Sequence, residues 1–98
     1  MPFIYILRCA DRSLFVGRTD EMAQCEQTHN HGHGGQYTAA RRPVYLVYTE
    51  EIEAQNKAER RERQLKRWPD KKLEALVAGR LSLADRPATL NTRTTRKT

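Results

Sequence analysis

Three short apolar runs, rich in β-branched and aromatic residues, lie along this 98-residue chain. They cover residues 3–7, 14–17 and 44–48, and runs of this length and composition are typical of buried strands. The turn residues at 9–13 separate the first two runs, which predicts an antiparallel hairpin. Gly17 ends the second run and leaves room for the close approach of a backbone or a ligand.

Polar segments with helical composition follow the hairpin and the third run. We expect the first helix between about residues 20 and 29, where Thr19 or Asp20 can cap its start. The second helix is predicted at 52–67 and is so highly charged that only a narrow stripe of it can be buried. A third, shorter helix is predicted at 70–79, directly after a proline.

Two segments lack the pattern of either element. The glycine-rich residues 30–35 predict a flexible loop. Residues 80–98 combine five basic residues with five threonines, and we expect disorder there, at least beyond Pro87. The β-β-α-β-α-α order therefore predicts an α/β (α+β) domain over residues 1–79, with a small three-stranded sheet and flanking helices, followed by a basic, disordered tail.

The length of the chain suits one domain with a modest core and excludes a large enzyme with a roomy buried pocket. No apolar run approaches the roughly 20 residues that a membrane span needs. The apolar start of the chain lacks a basic leader region and soon meets Arg8 and Asp11, which argues against a secretory signal. We therefore expect a cytoplasmic protein whose Cys9 and Cys25 are reduced thiols.

Basic residues outnumber acidic ones by 18 to 12, which gives a formal net charge of +6. A chain this basic is suited to polyanionic partners such as DNA, RNA or an acidic membrane surface. The excess lies in the second half, because residues 1–40 carry three basic and four acidic side chains whereas residues 41–78 carry ten and seven. We expect contacts with a phosphate backbone, since nothing in the pattern predicts base-specific readout.

An ordered set of motifs over residues 2–78 resembles the GIY-YIG nuclease superfamily. Phe-Ile-Tyr at residues 3–5 and Phe-Val-Gly at residues 15–17 stand where that domain has its two name-giving triplets. The wider frame resembles the small, single-domain bacterial UPF0213 (YhbQ-like) branch, through residues 5–14, His29-Asn30, Tyr37-Thr38, Arg42-Pro43-Val44 and 58–66. The element order of the family also matches the order predicted above.

The resemblance implies a divalent-metal-dependent DNA endonuclease. It implies that Tyr5 helps to deprotonate the attacking water and that His29, on the first helix, supports the site. It implies that Tyr37 lines the site and that Glu62, on the long helix, binds one Mg²⁺ or Mn²⁺. The carboxylate of Glu62 suits such a role because hard cations favour oxygen ligands.

Two positions depart from the family pattern. Phe15 replaces the tyrosine of the second triplet and so lacks its hydroxyl group, and Cys25 replaces an arginine four residues before His29. A cysteine has neither the permanent charge nor the forked donors of arginine. By analogy with the loss of one transition-state donor, each change is expected to slow hydrolysis on the order of 10²-fold. Arg18 is a candidate replacement for the missing charge.

Two functions of different class therefore stay open. The first is a GIY-YIG-type endonuclease that hydrolyses phosphodiester bonds slowly at a modified site. The second is a catalytically inactive nucleic-acid-binding module that keeps the fold and the basic surface. The retention of Tyr5, His29, Tyr37 and Glu62 favours the nuclease.

Each candidate also has a purely structural interpretation. Tyr5 can be a core residue of a buried strand, and His29 can be a partner of a helix C-terminus. Glu62 lies in a charge run that usually forms a solvated helix face, and Cys25 can be a small buried apolar residue.

A third hypothesis concerns the histidines. Cys25 and His29 lie four residues apart on one helical face, and His31 and His33 follow in the loop. Zinc accepts such ligands in tetrahedral geometry, although this spacing matches no recognised finger.

Cationic side chains near the predicted cleft are the candidates for DNA contact. Arg41 and Arg42 border the loop beside the cleft, and Arg61 and Lys66 lie on the long helix. We expect them to contact phosphates and to sense the structure of the DNA rather than its sequence, unless they serve solubility alone. Further candidates of the same kind are Arg60, Arg63, Arg67, Lys71 and Lys72.

Overall fold

The computed structural model describes residues 1–79 and the backbone of residues 91–94. The predicted β-β-α-β-α-α order is confirmed, and a short helix and a short strand are added to it. No helix of the described residues is long and apolar enough to cross a membrane. The elements are β1 (Phe3–Arg8), β2 (Leu14–Thr19), α1 (Met22–Asn30), α2 (Gln36–Ala39), β3 (Tyr45–Glu51), α3 (Gln55–Lys66), α4 (Asp70–Val77) and β4 (Asn91–Thr94).

The strands form one antiparallel sheet in the order β2-β1-β3-β4. β1 lies in the middle, and its Tyr5 is opposite Gly17 of β2 and Thr49 of β3. The hairpin predicted from the first two runs is thus confirmed. Among the described strands, β2 forms one free edge of the sheet.

The sheet has four strands where the pattern predicted three. β4 pairs with β3 along the edge opposite to β2, with Thr92 opposite Glu50. Threonine is β-branched and favours extended backbone, and pairing satisfies the outer N–H and C=O groups of β3. The predicted disorder beyond Pro87 is therefore wrong for residues 91–94. The rest of the predicted tail, 80–90 and 95–98, lies outside the described residues.

The alternation of side chains along β1 divides the core into two layers. Ile4 and Ile6 face α3 and α4, and the core on that side includes Val16, Val47, Tyr48, Leu65, Leu73 and Leu76. Tyr5 and Leu7 belong to a smaller cluster on the other side, with Cys9, Cys25 and Val44. A register shift in the pairing of β1 with β3, between Ile6 and Leu7, lets both Val47 and Tyr48 join the first layer.

The long helix α3 buries only a narrow stripe, as predicted, through Ala58 and Leu65. Polar contacts add to this stripe. Arg61 Nη2 donates to Glu50 Oε2 at 2.8 Å, and the hydroxyl of Tyr48 donates to the same oxygen at 2.7 Å. Because Glu50 is fully buried, this ion pair fixes the rotation of α3 against β3.

Candidate active site

A chain of buried hydrogen bonds links β1 to the two short helices. The hydroxyl of Tyr5 lies 2.8 Å from Nε2 of His29, and Nδ1 of His29 lies 2.8 Å from Oγ1 of Thr38. All three side chains are buried. A neutral imidazole donates through one nitrogen and accepts through the other, so Tyr5 and Thr38 play opposite roles toward His29.

Two glycines make room for this chain. A Cβ atom added at Gly17 would lie within 3.0 Å of the hydroxyl group of Tyr5, and one added at Gly34 would lie within 3.0 Å of the ring of His29. Side chains at these positions would push the two rings apart. The sequence predicted room at Gly17 for a close approach, and the side chain of Tyr5 occupies that room.

An aromatic stack forms the outer wall of the site. The ring of Phe15 lies 5.5 Å from that of His29 and stacks on Tyr37 with centroids 5.8 Å apart. The guanidinium of Arg41 lies 3.8 Å above the ring of Tyr37, and its Nε donates to Asp11 at 3.0 Å. Phe15 thus keeps the packing role of an aromatic ring, but brings no hydroxyl to the site.

A buried thiol, that of Cys25, lies at the position where the resemblance implies an arginine. Burial raises the pKa of Cys25 to about 11, although a hydrogen bond to Tyr5 opposes this shift. Burial also raises the pKa of Tyr5 above its usual value near 10, and the nearby Cys25 and Glu62 raise it further as anions. Burial lowers the pKa of His29, so the imidazole stays neutral near pH 7 and keeps one ring nitrogen as a hydrogen-bond acceptor.

Glu62 lies on α3, next to the free edge of β2. Its Oε1 accepts from Arg18 Nε at 3.2 Å, and its Oε2 lies 3.3 Å from Lys66 Nζ. Arg18 also donates to Gln55 at 3.1 Å. The positive charge of Arg18 is therefore placed at the carboxylate of Glu62 rather than at the position of Cys25.

The donor set at Glu62 suits a hard divalent cation. Its carboxylate is 19% exposed at the β2 edge, and Mg²⁺ is commonly held by one or two carboxylates with water and substrate phosphate completing its shell. A cation at this position has to compete with the ammonium and guanidinium groups that the carboxylate now binds.

The zinc hypothesis for the histidines is wrong. Within the described part of the chain, no group of three or more His, Cys, Asp or Glu side chains is placed to hold a metal ion. Both ring nitrogens of His29 are already hydrogen-bonded, and His31 and His33 are exposed.

The predicted phosphate-binding cations fall into different places. Lys66 lies beside the cleft, with Nζ 5.9 Å from the ring of Phe15, and Arg41 lies over Tyr37. Arg42 is exposed and donates to backbone carbonyls of residues 30 and 39. Arg61 does not join this surface, because its guanidinium is bound to the buried Glu50.

The family model described as the GIY-YIG catalytic domain matches residues 1–74. This chain belongs to the GIY-YIG family. A UPF0213 protein of Bacillus pumilus is 40% identical over 75 residues, which cover 76% of this chain and 76% of that protein. A UPF0213 protein of Staphylococcus aureus is 38% identical over 78 residues, which cover 80% of this chain and 95% of that protein.

The fold agrees with this membership. The solution NMR structure of the UPF0213 protein BH0048 from Bacillus halodurans matches with a TM-score of 0.53 and 34% identity, over 80% of this chain and 84% of that one. The GIY-YIG match contains every residue of the site described above. The chain is thus a small GIY-YIG domain of the nuclease-like type, a class whose substrates are nucleic acids and whose members are generally metal-dependent.

Sequence patterns missed two residues that help to build the candidate site. Thr38 was recognised only as part of a motif, and α2, which carries it, is too short for a periodic signal. Gly34 lies in a glycine-rich loop where any of three glycines could have made the close approach. The position of Thr38, a residue with a hydroxyl group directly after Tyr37, was the one feature of the sequence that could have pointed to its contact with the site.

Proposed function

We propose that this protein is a DNA endonuclease that hydrolyses phosphodiester bonds with Mg²⁺ or Mn²⁺. The observation that carries the proposal is the buried contact of 2.8 Å between the hydroxyl of Tyr5 and Nε2 of His29. It pairs a weak acid with a neutral acceptor at the edge of the sheet where Glu62 offers a carboxylate. These are the elements that general base catalysis on a phosphodiester requires.

His29 serves as the proton acceptor for Tyr5. Nε2 takes the hydroxyl proton while Nδ1–H donates to Thr38, which holds the ring in the required tautomer. The tyrosinate then accepts a proton from the water whose oxygen attacks phosphorus. The bond to the leaving sugar oxygen breaks, its electron pair stays on that oxygen, which takes up a proton from solvent, and His29 releases its own proton to solvent. Because the surroundings of Tyr5 raise its pKa, this first proton transfer is costly and the reaction is slow.

Glu62 would hold the divalent cation. When bound, the cation polarises the phosphate and offsets its developing negative charge. Arg18 and Lys66 hold the carboxylate in place at 3.2 and 3.3 Å, and become available to phosphate oxygens when the carboxylate turns to another partner. The site therefore replaces the charge missing at Cys25 only in part, through Arg18 of β2 and Lys66 of α3.

A catalytically inactive nucleic-acid-binding module is the second candidate. The buried thiol of Cys25 and the raised pKa of Tyr5 favour it, because both oppose formation of a tyrosinate. Such a module would bind the DNA backbone through the same basic surface without hydrolysing it.

Cleavage of labelled DNA decides between the two. Branched, nicked, single-stranded and duplex substrates are incubated with Mg²⁺ or Mn²⁺ and the wild-type protein, Glu62→Ala, or Phe15→Tyr combined with Cys25→Arg. Glu59→Ala, an exposed acid on the same helix, is the matched control. Endonuclease function predicts products that are lost in Glu62→Ala and kept in Glu59→Ala. Binding without cleavage, with activity gained by the double variant, would establish the binding module instead.

A further inference from the structure

The helix α3 carries a second basic face that the site does not use. Arg60, Arg63 and Arg67 are exposed there, and with Gln64 and Trp68 they line a groove of about 310 Å³. We call this set of five residues the arginine groove. It lies at the C-terminal end of α3, where the helix leads into the turn before α4.

The direction of this face separates it from the candidate active site. Successive residues of an α-helix are rotated by about 100°, so Arg60, Arg63 and Arg67 point about 100° to 160° away from Glu62. The buried stripe of Ala58 and Leu65 occupies a third direction. A phosphate bound in the arginine groove therefore lies on a different face of α3 from Glu62.

The arginines of the groove are not explained by stabilisation of the fold. Among residues 1–79, no carboxylate oxygen lies within ion-pair distance of Arg60, Arg63 or Arg67, whereas Arg61 of the same helix binds Glu50. Arg60 and Arg63 are three residues apart and Arg63 and Arg67 are four, and like charges at these spacings destabilise a helix. The three guanidinium groups are therefore available to an external anion.

The spacing of the groove fits the backbone of one nucleic-acid strand. The three arginines span about 10 Å along the helix axis, and three successive phosphates of a B-form strand span about 7 Å along the duplex axis. Flexible arginine side chains cover the difference. Trp68 adds an apolar wall for a sugar or a base edge, and its ring is held by Lys72, whose Nζ lies 4.3 Å from the centroid.

We propose that the arginine groove binds a second phosphodiester strand, so that one chain holds two separate arms of a branched nucleic acid. One arm occupies the candidate active site and the other lies on the far side of α3. The inference rests on the proposed function only in that the cleft accepts nucleic acid; it does not require that the cleft cleaves it. It predicts tighter binding of branched structures than of plain duplex.

Anisotropy of fluorescent DNA tests the groove without any cleavage. The probes are a duplex with two splayed single-stranded arms and the same duplex without arms, in EDTA, between 50 and 200 mM salt. Arg63→Gln with Arg67→Gln is compared with Arg63→Lys with Arg67→Lys, which keeps the charge. Arg12→Gln with Lys57→Gln removes the same charge from exposed positions outside the groove. Circular dichroism confirms that each variant is folded.

The glutamine variant is expected to lose affinity for splayed-arm DNA on the order of 10-fold, since linked binding at two surfaces exceeds either alone. The slope of log affinity against log salt concentration should become shallower by about 1 to 2, because two phosphate contacts are lost. A plain duplex can use either surface but not both, so its affinity should change by about twofold. The lysine variant should retain most of the salt dependence.

Three results would overturn the proposal. They are an equal loss in the control variant, an equal loss on the plain duplex, and competition by poly-glutamate as strong as that by DNA. The first result would mean that DNA binding depends only on the total positive charge of the protein. The second would mean that the groove and the cleft form one continuous surface. The third would mean that the groove binds acidic peptides. Because no divalent cation is present, none of these results depends on whether the proposed endonuclease is active.

Discussion

Burial is the main cause of the raised pKa of Tyr5, and the neutral thiol of Cys25 supplies no positive charge to offset it. Cys25→Arg replaces a buried neutral thiol with a permanent positive charge beside the hydroxyl, and opposite charge within a few ångströms lowers the pKa of an acid. We expect the pKa of Tyr5 to fall and any cleavage rate to rise on the order of 10²-fold. The ¹³Cζ resonance of labelled tyrosine, followed against pH, measures the first effect directly. Cys25→Ser, which adds no charge, should leave the pKa raised; a fall in Cys25→Ser as large as that in Cys25→Arg would refute the electrostatic account.

His29 makes the stability of the protein dependent on pH. Burial lowers its pKa in the folded protein, so the unfolded chain takes up a proton first as the pH falls. The contribution of neutral His29 is fully present above its unfolded pKa near 6.5 and is lost as the pH decreases below that value. Urea denaturation between pH 7.5 and 5.5 should show a steeper loss of unfolding free energy for the wild type than for His29→Gln. Replacement of the exposed His31 and His33 by Asn should leave the slope of the wild type, and a reduced slope there would contradict the assignment to His29.

Gly17 and Gly34 are needed because of close approach. Gly17→Ala is expected to displace the ring of Tyr5, and Gly34→Ala that of His29, so either change should break the 2.8 Å contact between them. Loss of cleavage of about 10²-fold or more is expected. Gly79→Ala is the control, since an added Cβ meets nothing within 4 Å there but is strained by a positive φ of 74°. Gly79→Ala should lower the free energy of unfolding but leave cleavage activity unchanged. If it lost as much activity as Gly17→Ala and Gly34→Ala, the site glycines would act through stability alone.

At the scale of elements, α3 is positioned by an ion pair rather than by apolar packing alone. Glu50→Gln leaves Arg61, which is 11% exposed, without its partner charge. Breaking a buried pair costs about 3–5 kcal/mol, whereas a surface pair contributes about 0–1 kcal/mol. Urea denaturation should therefore show a large decrease in the free energy of unfolding for Glu50→Gln. The decrease should be small for Glu53→Gln, because its partner Lys57 is exposed. Equal losses would contradict this role for the buried pair.

The sequence predicts the main elements well because each has a strong local pattern. The apolar runs of β1, β2 and β3 and the charged composition of α3 are visible without any tertiary information. The four-residue elements α2 and β4 are too short for periodicity, and pairing of β4 depends on an edge of β3 that only the folded sheet presents. Local pattern therefore fails where an element exists because of its neighbours.

The site shows the same limit. Motif order places Tyr5, His29 and Glu62, because short motifs keep their spacing along the chain. It cannot tell Arg61 from Arg60, since adjacent helical residues differ by about 100° in direction and only the packed helix shows which one meets Glu50. The pKa of Cys25 likewise depends on its burial and on its hydrogen bond to Tyr5, and only the folded structure shows that the two side chains are in contact.

At the scale of the whole molecule, the described residues contain one candidate active site. A single site of this kind cuts one strand in each event, unless a second copy supplies another. With supercoiled plasmid we expect nicked circles to accumulate before linear DNA appears, as resolved on an agarose gel. The ratio of nicked to linear product should not change with protein concentration. Linear DNA without a nicked intermediate, favoured at high concentration, would show that two copies act together.

The position of β4 determines which edges of the sheet are available for pairing with a further strand. An open sheet edge is where a foreign strand can add its own backbone hydrogen bonds. Because β4 covers the outer side of β3, the described sheet has β4 at one edge and β2 at the other, and Glu62 and Arg18 lie next to the edge of β2. A peptide that docks on this sheet by strand addition there has to do so beside the candidate active site. We therefore expect peptides that pair with β2 to compete with nucleic acid for the candidate active site, and extended, β-branched peptides are the class to screen.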